Sequence, residues 1–378
     1  MTNSHPATEA HRASISDLTF ASAAAAAAAL RRGAVSSVEL VDHVLGRIAR
    51  HNPTVNAIVT LDAEGARKRA AQADRALERG QIWGPLHGVP MTIKDTYETA
   101  GLRTTAGAPF LAQHVPARDA VVVDRARRAG AVIVGKTNTP LLASDWQSYN
   151  EVFGRTDNPW SAAHGPGGSS GGCAAALAAG LSYLSIGSDI GGSTRIPAGF
   201  CGLFGHKPTL GVVPLDGHIP PLPGTPAGAF LEELPVAGPL ARSAEDLRIA
   251  LEVLGGPTSP RHAAWRWSLP AARHASIRDY RLRFVIDDPY CPVTSEVSQR
   301  LRAAVDALRG AGATVEEGWP QGVNPQAQFE TYAYLLFQAM DGMQPEEAKA
   351  TIRAAAGAGS FQSLRARALD DRFHDSAA

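Results

Sequence analysis

The sequence has few cysteines: its 378 residues include three, Cys173, Cys201 and Cys291. Their spacing matches neither a disulfide framework nor a zinc-binding pattern, which argues against a disulfide-stabilised secreted domain and a cysteine-based metal site. Free cysteine is among the residue types that are most often buried, so each of the three is predicted to pack as a small apolar side chain. This cysteine usage is typical of a reducing compartment, and we expect a cytoplasmic protein.

An excess of charge of either sign is also absent. The 36 basic residues balance the 36 acidic residues, so the formal net charge at pH 7 is zero. Proteins that bind nucleic acid or an anionic membrane usually carry a basic surface, and neither kind of partner is expected here. The alanine-rich run Ala23–Ala29 is too short and too weakly apolar to span a bilayer and is predicted to be helical. The polar segment before it, 1–15, is predicted to be a disordered tail.

Lysine is scarce, because only five of the 36 basic residues are lysines. A lysine can lose its proton and act as a base, which an arginine in a protein does not do. Lys94 directly follows Val89–Ile93, an apolar segment that is predicted to form a short buried strand. Desolvation at the end of such a strand disfavours the charged ammonium form. Lys94 is therefore the candidate base, with Lys136 and Lys207 as rivals.

Helix and strand patterns alternate along the chain. Ser36–Glu39 has the pattern of a capping box that starts a helix, and Asp62 can cap a second helix. A second short strand is predicted at Ala131–Gly135. Strands that alternate with helices are typical of an α/β protein. Proline and glycine dominate the span 208–239, which is predicted to be an irregular surface excursion rather than a linker between domains.

Two glycine-rich segments each contain a serine. The first, Gly167–Gly172, reads G-G-S-S-G-G, and the second, Ser188–Pro197, reads S-D-I-G-G-S-T-R-I-P. Ser169 and Ser193 lie in these segments, separated by an alanine-rich helical pattern and an apolar strand pattern. Glycine lets a backbone turn tightly and approach a substrate closely. The two turns are therefore predicted to face each other across a site.

A serine hydroxyl needs a base before it can act as a nucleophile. None of the 12 histidines lies in a recognisable triad setting, so Lys94 is taken as the base and a second serine as a proton bridge. The run Ile190–Ser193 can aim several backbone N–H groups at one oxygen, as an oxyanion hole does. This favours Ser193 as the nucleophile and Ser169 as the bridge.

Taken together, these motifs resemble the amidase signature family. Both serine motifs, the later G-H-K-P-T and the upstream G-V-P-M-T-I-K-D occur in the order and spacing of that family. The resemblance extends from about Leu18 to the end of the chain. It implies a Ser–cis-Ser–Lys triad in which Ser193 forms the acyl intermediate, Ser169 relays protons after a cis peptide bond, and Lys94 is the base.

The resemblance also assigns residues around the triad. The implied oxyanion donors are the backbone N–H groups of Ile190, Gly191, Gly192 and Ser193. The implied substrate contacts are Ala143, Trp146 and Ser170. Trp146 could equally be a core residue. Asp189 and Arg195 are expected to hold together the loop that carries Ser193, called the nucleophile loop, rather than to touch the substrate. No metal or organic cofactor is implied.

The implied fold is α/β: a single large domain, 16–378, with a mixed, twisted β-sheet covered by helices. Members of the family generally continue well beyond the length of this chain, so the C-terminal part of the domain is expected to be missing. A phosphate-binding role for Gly167–Gly172 is disfavoured, because the G-K-[ST] that would supply the cation and the metal ligand is absent.

The implied reaction is hydrolysis of a carboxylic amide to an acid and an amine or ammonia through an acyl-enzyme on Ser193. The expected partner is a small-molecule amide, and a homodimer is left open. Three alternatives also stay open: a subunit of a glutamine-dependent amidotransferase, a cyclic-amide hydrolase of the same family, and a truncated inactive remnant.

Overall fold

The structure, a computed structural model, describes residues 15–220, 234–258, 263–289, 291–341, 346–357 and 359–370. The chain divides into two compact units, Met1–Ser268 and Leu269–Ala378. The predicted disordered tail lies outside the described residues except for its last residue, which begins a short 3₁₀-helix, Ile15–Leu18. The domain boundary after residue 15 therefore stays a prediction.

The first unit contains a six-stranded sheet, a short antiparallel strand pair and several helices. Its strands are β1 (Ile58–Leu61), β2 (Pro90–Lys94), β3 (Val132–Thr137), β4 (Tyr149–Asn150), β5 (Gly154–Arg155), β6 (Leu184–Asp189), β7 (Phe204–Gly205) and β8 (Val236–Ala241). Its α-helices are α1 (Ala23–Arg31), α2 (Ser37–Val55), α3 (Ala63–Glu78), α4 (Val121–Arg128), α5 (Gly171–Ala178), α6 (Arg195–Cys201) and α7 (Ala244–Leu254).

The strand order of the large sheet is β1-β3-β2-β6-β8-β7. Strands β3, β2 and β6 run parallel, whereas β1, β8 and β7 pair antiparallel with their neighbours. Every residue of β2, β3, β6 and β8 is buried, as expected where helices cover the sheet. The predicted α/β class with a mixed sheet covered by helices is confirmed.

Local sequence signals determine where the first helices begin. The Ser36 hydroxyl accepts a hydrogen bond from Glu39 N–H at 3.1 Å, and the Glu39 carboxylate accepts one from Ser36 N–H at 2.8 Å. This reciprocal pair is the predicted capping box of α2. Asp62 caps α3 by accepting a hydrogen bond from Gly65 N–H at 3.0 Å. The alanine-rich run forms α1, whose first N–H groups donate to the buried carboxylate of Asp246.

The prediction of an irregular excursion over 208–239 is wrong at its end, because Val236–Ala241 forms the buried strand β8. Residues 221–233 of that span lie outside the described residues. The Pro239 carbonyl accepts a hydrogen bond from His206 N–H at 3.1 Å. The N–H and C=O of a strand residue point to the same side, so the N–H that proline lacks would point toward β7. The pairing of β8 with β6 therefore tolerates the proline.

Two of the three cysteines behave as predicted. Cys173 and Cys201 are buried and free, whereas Cys291 is exposed, so the prediction is wrong for Cys291. The exposed cysteine forms a β-bridge with Asp288 in a loop of the second unit, where packing covers few side chains. In the described part of the chain, no group of three or more His, Cys, Asp or Glu side chains is arranged to hold a metal ion.

The second unit is built from a parallel strand pair and four α-helices among its described residues. Its elements are β9 (Arg281–Phe284), α8 (Ser295–Gly310), β10 (Thr314–Glu317), α9 (Pro325–Asp341), α10 (Glu346–Ala354) and α11 (Ser360–Asp370). Across the described ranges of both units, no helix combines the length and the apolar character needed to cross a bilayer.

Candidate active site

The candidate site lies where the neighbouring parallel strands β2 and β6 end. Lys94 is the last residue of β2, and Asp189 is the last residue of β6. Parallel strands end at the same edge of a sheet, and this edge is a common place for ligand sites in α/β proteins. Ser169 lies in the segment just before α5, and Ser193 lies in the loop between β6 and α6.

Lys94 is fully buried, and its amine is surrounded by hydroxyl groups. The Nζ atom lies 2.6 Å from Ser169 Oγ and 3.0 Å from Ser188 Oγ. Burial lowers the pKa of Lys94 from 10.5 to about 7, although the nearby Cys173 and Asp189 act in the opposite direction. A substantial fraction of the amine is then neutral near pH 7, as a general base requires.

A main-chain hydrogen bond joins the two serine-bearing segments. Ser170 N–H donates to the Ser193 carbonyl oxygen at 3.0 Å, and the Gly168–Ser169 peptide bond is cis. The buried Ser170 hydroxyl lies 3.3 Å from both the main-chain nitrogen and the carbonyl oxygen of Ser188. The structure therefore brings the segments of the two predicted catalytic serines together, and it directs the Ser170 hydroxyl toward β6.

The buried carboxylate of Asp189 organises the nucleophile loop. It accepts hydrogen bonds from the N–H groups of Gly192 at 2.8 Å and Thr194 at 3.1 Å, and from the Arg195 guanidinium at 2.9 and 3.0 Å. Burial alone would raise the pKa of Asp189, but these donors lower it below its usual value. These contacts are the ones expected if Asp189 and Arg195 hold this loop together, and that role stays a prediction.

One of the four predicted oxyanion donors has another partner. Because Gly192 N–H donates to the braced carboxylate, it is engaged before any substrate arrives. No acceptor among the described residues takes a hydrogen bond from the N–H of Gly191 or of Ser193, whereas Ile190 is half-buried at the start of the loop. Gly192 has a φ of +104°, and a Cβ there would lie 2.7 Å from Ile196 Cδ1, so this position requires glycine.

The remaining predicted substrate contacts lie in the segment before β4. Ala143 is half-buried, with a φ of +60°. Trp146 is 57% exposed, which excludes the alternative of a core residue, and its Nε1–H donates to the Gly191 carbonyl at 3.0 Å. The segment lines a cavity of about 540 Å³ through Leu141, Ser144, Asp145 and Tyr149. Neither Ala143 nor Trp146 lines that cavity.

The rival lysines are bonded to other groups. Lys136 is fully buried, but its Nζ donates to Thr104 Oγ1 at 2.6 Å and to the Tyr97 carbonyl at 2.8 Å, and it lies 3.5 Å from Asp95 Oδ1. Burial lowers the pKa of Lys136 to about 8, with Asp95 opposing the shift. Lys207 is exposed and donates to the carbonyl of the following proline. Neither amine is hydrogen-bonded to a described serine hydroxyl.

Two groups that complete the site carry no clear sequence signal. Ser188 supplies the second hydroxyl at Lys94 Nζ, and the Tyr97 hydroxyl donates to the Gly187 carbonyl at 2.8 Å. Both contacts depend on how β2 and β6 align, with Ile93 opposite Ile186. The signal available for Ser188 was its position as the first residue of the second glycine-rich segment, directly after an apolar strand pattern.

The chain is similar to known proteins in both sequence and fold. The amidase family model matches residues 39–376. A glutamyl-tRNA(Gln) amidotransferase subunit from Roseiflexus sp. (strain RS-1) is 41% identical over 292 residues, which cover 76% of this chain and 58% of that protein. The chain thus spans less than two thirds of the length of that relative.

Solved structures are similar over nearly the whole chain. Fatty acid amide hydrolase has a TM-score of 0.77 at 25% identity, covering 94% of this chain and 59% of that one. The peptide amidase from Stenotrophomonas maltophilia has a TM-score of 0.73 at 30% identity, covering 93% of this chain and 75% of that one.

Proposed function

Because the chain belongs to the amidase family, we propose that it is a serine amidohydrolase that cleaves linear carboxylic amides to an acid and an amine or ammonia. The observation that carries the proposal is the 2.6 Å contact between the buried amine of Lys94 and the hydroxyl of Ser169. A neutral amine at this distance can accept the proton of the hydroxyl without any rearrangement. No metal or organic cofactor takes part in this proposal, and the free cysteines favour a cytoplasmic location.

The proposed mechanism passes protons along a lysine–serine–serine relay. Lys94 takes the proton of Ser169 as Ser169 takes that of Ser193, and the Ser193 oxygen attacks the amide carbonyl carbon. The N–H groups of Gly191 and Ser193 stabilise the negative charge that develops on the carbonyl oxygen. As the C–N bond breaks, the relay returns a proton to the leaving amine. Water then hydrolyses the ester on Ser193 by the same proton path.

Removal of the Ser193 hydroxyl tests the proposal directly. We expect the full chain to hydrolyse members of a panel of linear amides, such as 4-nitroacetanilide, and to be labelled by a fluorophosphonate. Ser193→Ala should abolish labelling and reduce turnover by at least about 10³-fold, because no acyl-enzyme forms. Ser161→Ala is the matched control, because the Ser161 hydroxyl pairs with His164 on the surface. Labelling of Ser193→Ala at the wild-type rate would contradict the proposal.

The role of the base is tested with the same assays. Lys94→Arg keeps a positive charge but cannot supply a neutral amine, so turnover should be lost while circular dichroism stays that of the wild type. Lys207→Arg makes the same exchange at an exposed site and should keep full activity. Absence of labelling in the wild type would instead favour the inactive remnant.

A second candidate function is that of an amidotransferase subunit that releases ammonia from glutamine. The observation that favours it is the 41% identity to a glutamyl-tRNA(Gln) amidotransferase subunit. The side chain of glutamine is itself a linear carboxylic amide, so the same relay serves both functions. Glutamine hydrolysis that appears only after addition of co-purified partner subunits would favour this candidate. Cyclic amides in the substrate panel test the remaining alternative within the family.

A further inference from the structure

Trp146 connects the two serine-bearing segments of the site. Its Nε1–H donates to the Gly191 carbonyl oxygen at 3.0 Å, although 57% of the residue is exposed. On the main-chain side, the turn 145–147 packs directly against Gly168. A Cβ on Gly168 would lie 2.7 Å from the carbonyl atoms of this turn and from Gln147 N. The backbone of Trp146 thus contacts the segment Gly167–Gly172, called the relay segment because it carries Ser169, while the Trp146 side chain reaches the nucleophile loop.

The turn that carries Trp146 is held firmly to the relay segment. Gln147 N–H donates to Asp145 Oδ1 at 3.0 Å, which closes the turn. The buried Ser148 hydroxyl then donates to the Gly167 carbonyl at 3.0 Å and accepts from Gly171 N–H at 3.1 Å. These two glycines lie on either side of Ser169. The turn that carries Trp146 is therefore held, through the adjacent Ser148, to the backbone on both sides of Ser169.

The hydrogen bond from Trp146 acts on a peptide unit that is also held at its other end. In the Gly191–Gly192 peptide, the carbonyl accepts from Trp146, and the N–H donates to Asp189 at 2.8 Å. A peptide between two glycines is otherwise free to rotate, because glycine accepts most backbone angles. Fixing this unit restricts the directions that the adjoining N–H groups of Gly191 and Ser193 can take.

We propose that Trp146 is a positioning residue: its hydrogen bond to the Gly191 carbonyl fixes the orientation of the nucleophile loop, which supplies the proposed oxyanion donors. This inference rests on the proposed amidase function, and it gives Trp146 a role different from that of a substrate contact. The positioning role requires the indole N–H of Trp146, whereas a role as a wall of the substrate pocket would require only its aromatic ring. The two roles are therefore separable by substitution.

Trp146→Phe keeps an aromatic ring but removes the N–H donor. We expect kcat for amide hydrolysis to fall about 10-fold while KM stays unchanged, because loop orientation matters most where the oxyanion develops. Trp160→Phe is the matched control: Trp160 is also exposed, and its Nε1–H donates to the Cys201 carbonyl at 2.9 Å, in a bond of the same kind. This control should keep wild-type kcat and KM.

Two kinetic outcomes would overturn the inference. One is a Trp146→Phe enzyme with the kcat of the wild type; if its KM is raised as well, Trp146 acts only as a wall of the substrate pocket. The other is a fall in kcat that Trp160→Phe reproduces, because the loss would then not be specific to the loop that carries Ser193.

Hydrogen–deuterium exchange tests the same inference without any turnover. In Trp146→Phe, the peptide that contains 190–194 should exchange faster than in the wild type, because the Gly191–Gly192 peptide unit loses one of its two hydrogen bonds. The same peptide should be unchanged in Trp160→Phe. Unchanged exchange in Trp146→Phe overturns the inference even if the wild type hydrolyses amides. A wild type without activity but with the expected exchange pattern would refute the proposed function and leave the positioning role supported.

Discussion

The two fully buried lysines, Lys94 and Lys136, differ in what surrounds their amines. In the described part of the chain, Lys94 Nζ is hydrogen-bonded to the hydroxyls of Ser169 and Ser188, whereas Lys136 Nζ lies 3.5 Å from the carboxylate of Asp95. Hydroxyl groups stabilise an ammonium less than a carboxylate does, so the pKa of Lys94 falls to about 7 and that of Lys136 to about 8. This difference makes Lys94 the better base at neutral pH.

The pH dependence of activity should report the state of Lys94. The folded-state pKa is depressed, so below about pH 7 the amine is charged and cannot accept a proton. We expect kcat to rise with pH to a plateau, with a midpoint near 7.

Ser188→Ala should move this midpoint to lower pH. The substitution removes one acceptor of the ammonium, which disfavours the charged form and lowers the pKa of Lys94 further. The measurement is kcat against pH for both proteins, with an unfolding curve at each pH as the control for stability. A midpoint that stays in place or moves upward would show that Ser188 does not stabilise the ammonium.

Single-residue roles are predictable from this sequence only where a local motif carries them. Ser169, Ser193 and Lys94 are marked by glycines and by a strand end, and the structure brings their segments together. The contacts of Ser188 and Trp146 arise from strand register and from a turn packed against another loop. No spacing along the chain encodes such contacts, because the residues that meet are far apart in sequence.

At the scale of an element, the loop from β6 to α6 depends on the glycine at 192. Gly192→Ala should lower kcat strongly, because the positive φ strains the loop and the Ile196 side chain must move to admit a Cβ. Gly33→Ala is the matched control: Gly33 also has a positive φ, of +67°, but a Cβ there would meet no atom within 4 Å. Both variants should lose about 1 kcal/mol of stability from the backbone strain alone.

Kinetic and denaturant-unfolding measurements on the two glycine variants separate these effects. Gly33→Ala should lose stability but keep kcat, whereas Gly192→Ala should lose both. Equal kcat values in the two variants would mean that the loop accommodates a side chain and that its glycine serves only the fold.

Elements whose ends are set by nearby side chains are the predictable ones. The helices α2 and α3 begin where Ser36 and Asp62 cap them, since a cap involves residues only three apart. Strand β8 is missed because Pro239 predicts irregular structure. The strand tolerates this proline only because the missing N–H would point toward the short neighbour β7, which is a property of the sheet rather than of the segment.

At the scale of the whole molecule, all the proposed catalytic residues belong to the first unit, Met1–Ser268. Its core also contains the buried pair Asp95–Lys136. The Asp95 carboxylate accepts hydrogen bonds from Thr105 N–H at 3.0 Å and from the Thr105 hydroxyl at 2.6 Å. The pair thus ties the ends of β2 and β3 to the segment around residue 105.

Removal of one member of this pair should destabilise the first unit. Lys136→Met leaves the Asp95 carboxyl buried without its cation, and we expect the free energy of unfolding to fall by about 3–5 kcal/mol. Arg67→Met breaks the exposed pair Arg67–Asp42 and should change the free energy of unfolding by less than about 1 kcal/mol. Chemical denaturation measures both variants. A loss of unfolding free energy of similar size in both variants would show that the buried pair stabilises the protein no more than the exposed pair does.

The distribution of lysines has a practical consequence for handling the protein. Two of the five lysines, Lys94 and Lys136, are fully buried, whereas Lys68 and Lys207 are exposed. Reagents that couple to amines, such as activated esters on a resin or a fluorescent dye, therefore reach the exposed lysines and spare the buried ones while the chain stays folded. The protein can be immobilised or tagged through its surface amines with the amine of Lys94, the proposed base, left unmodified.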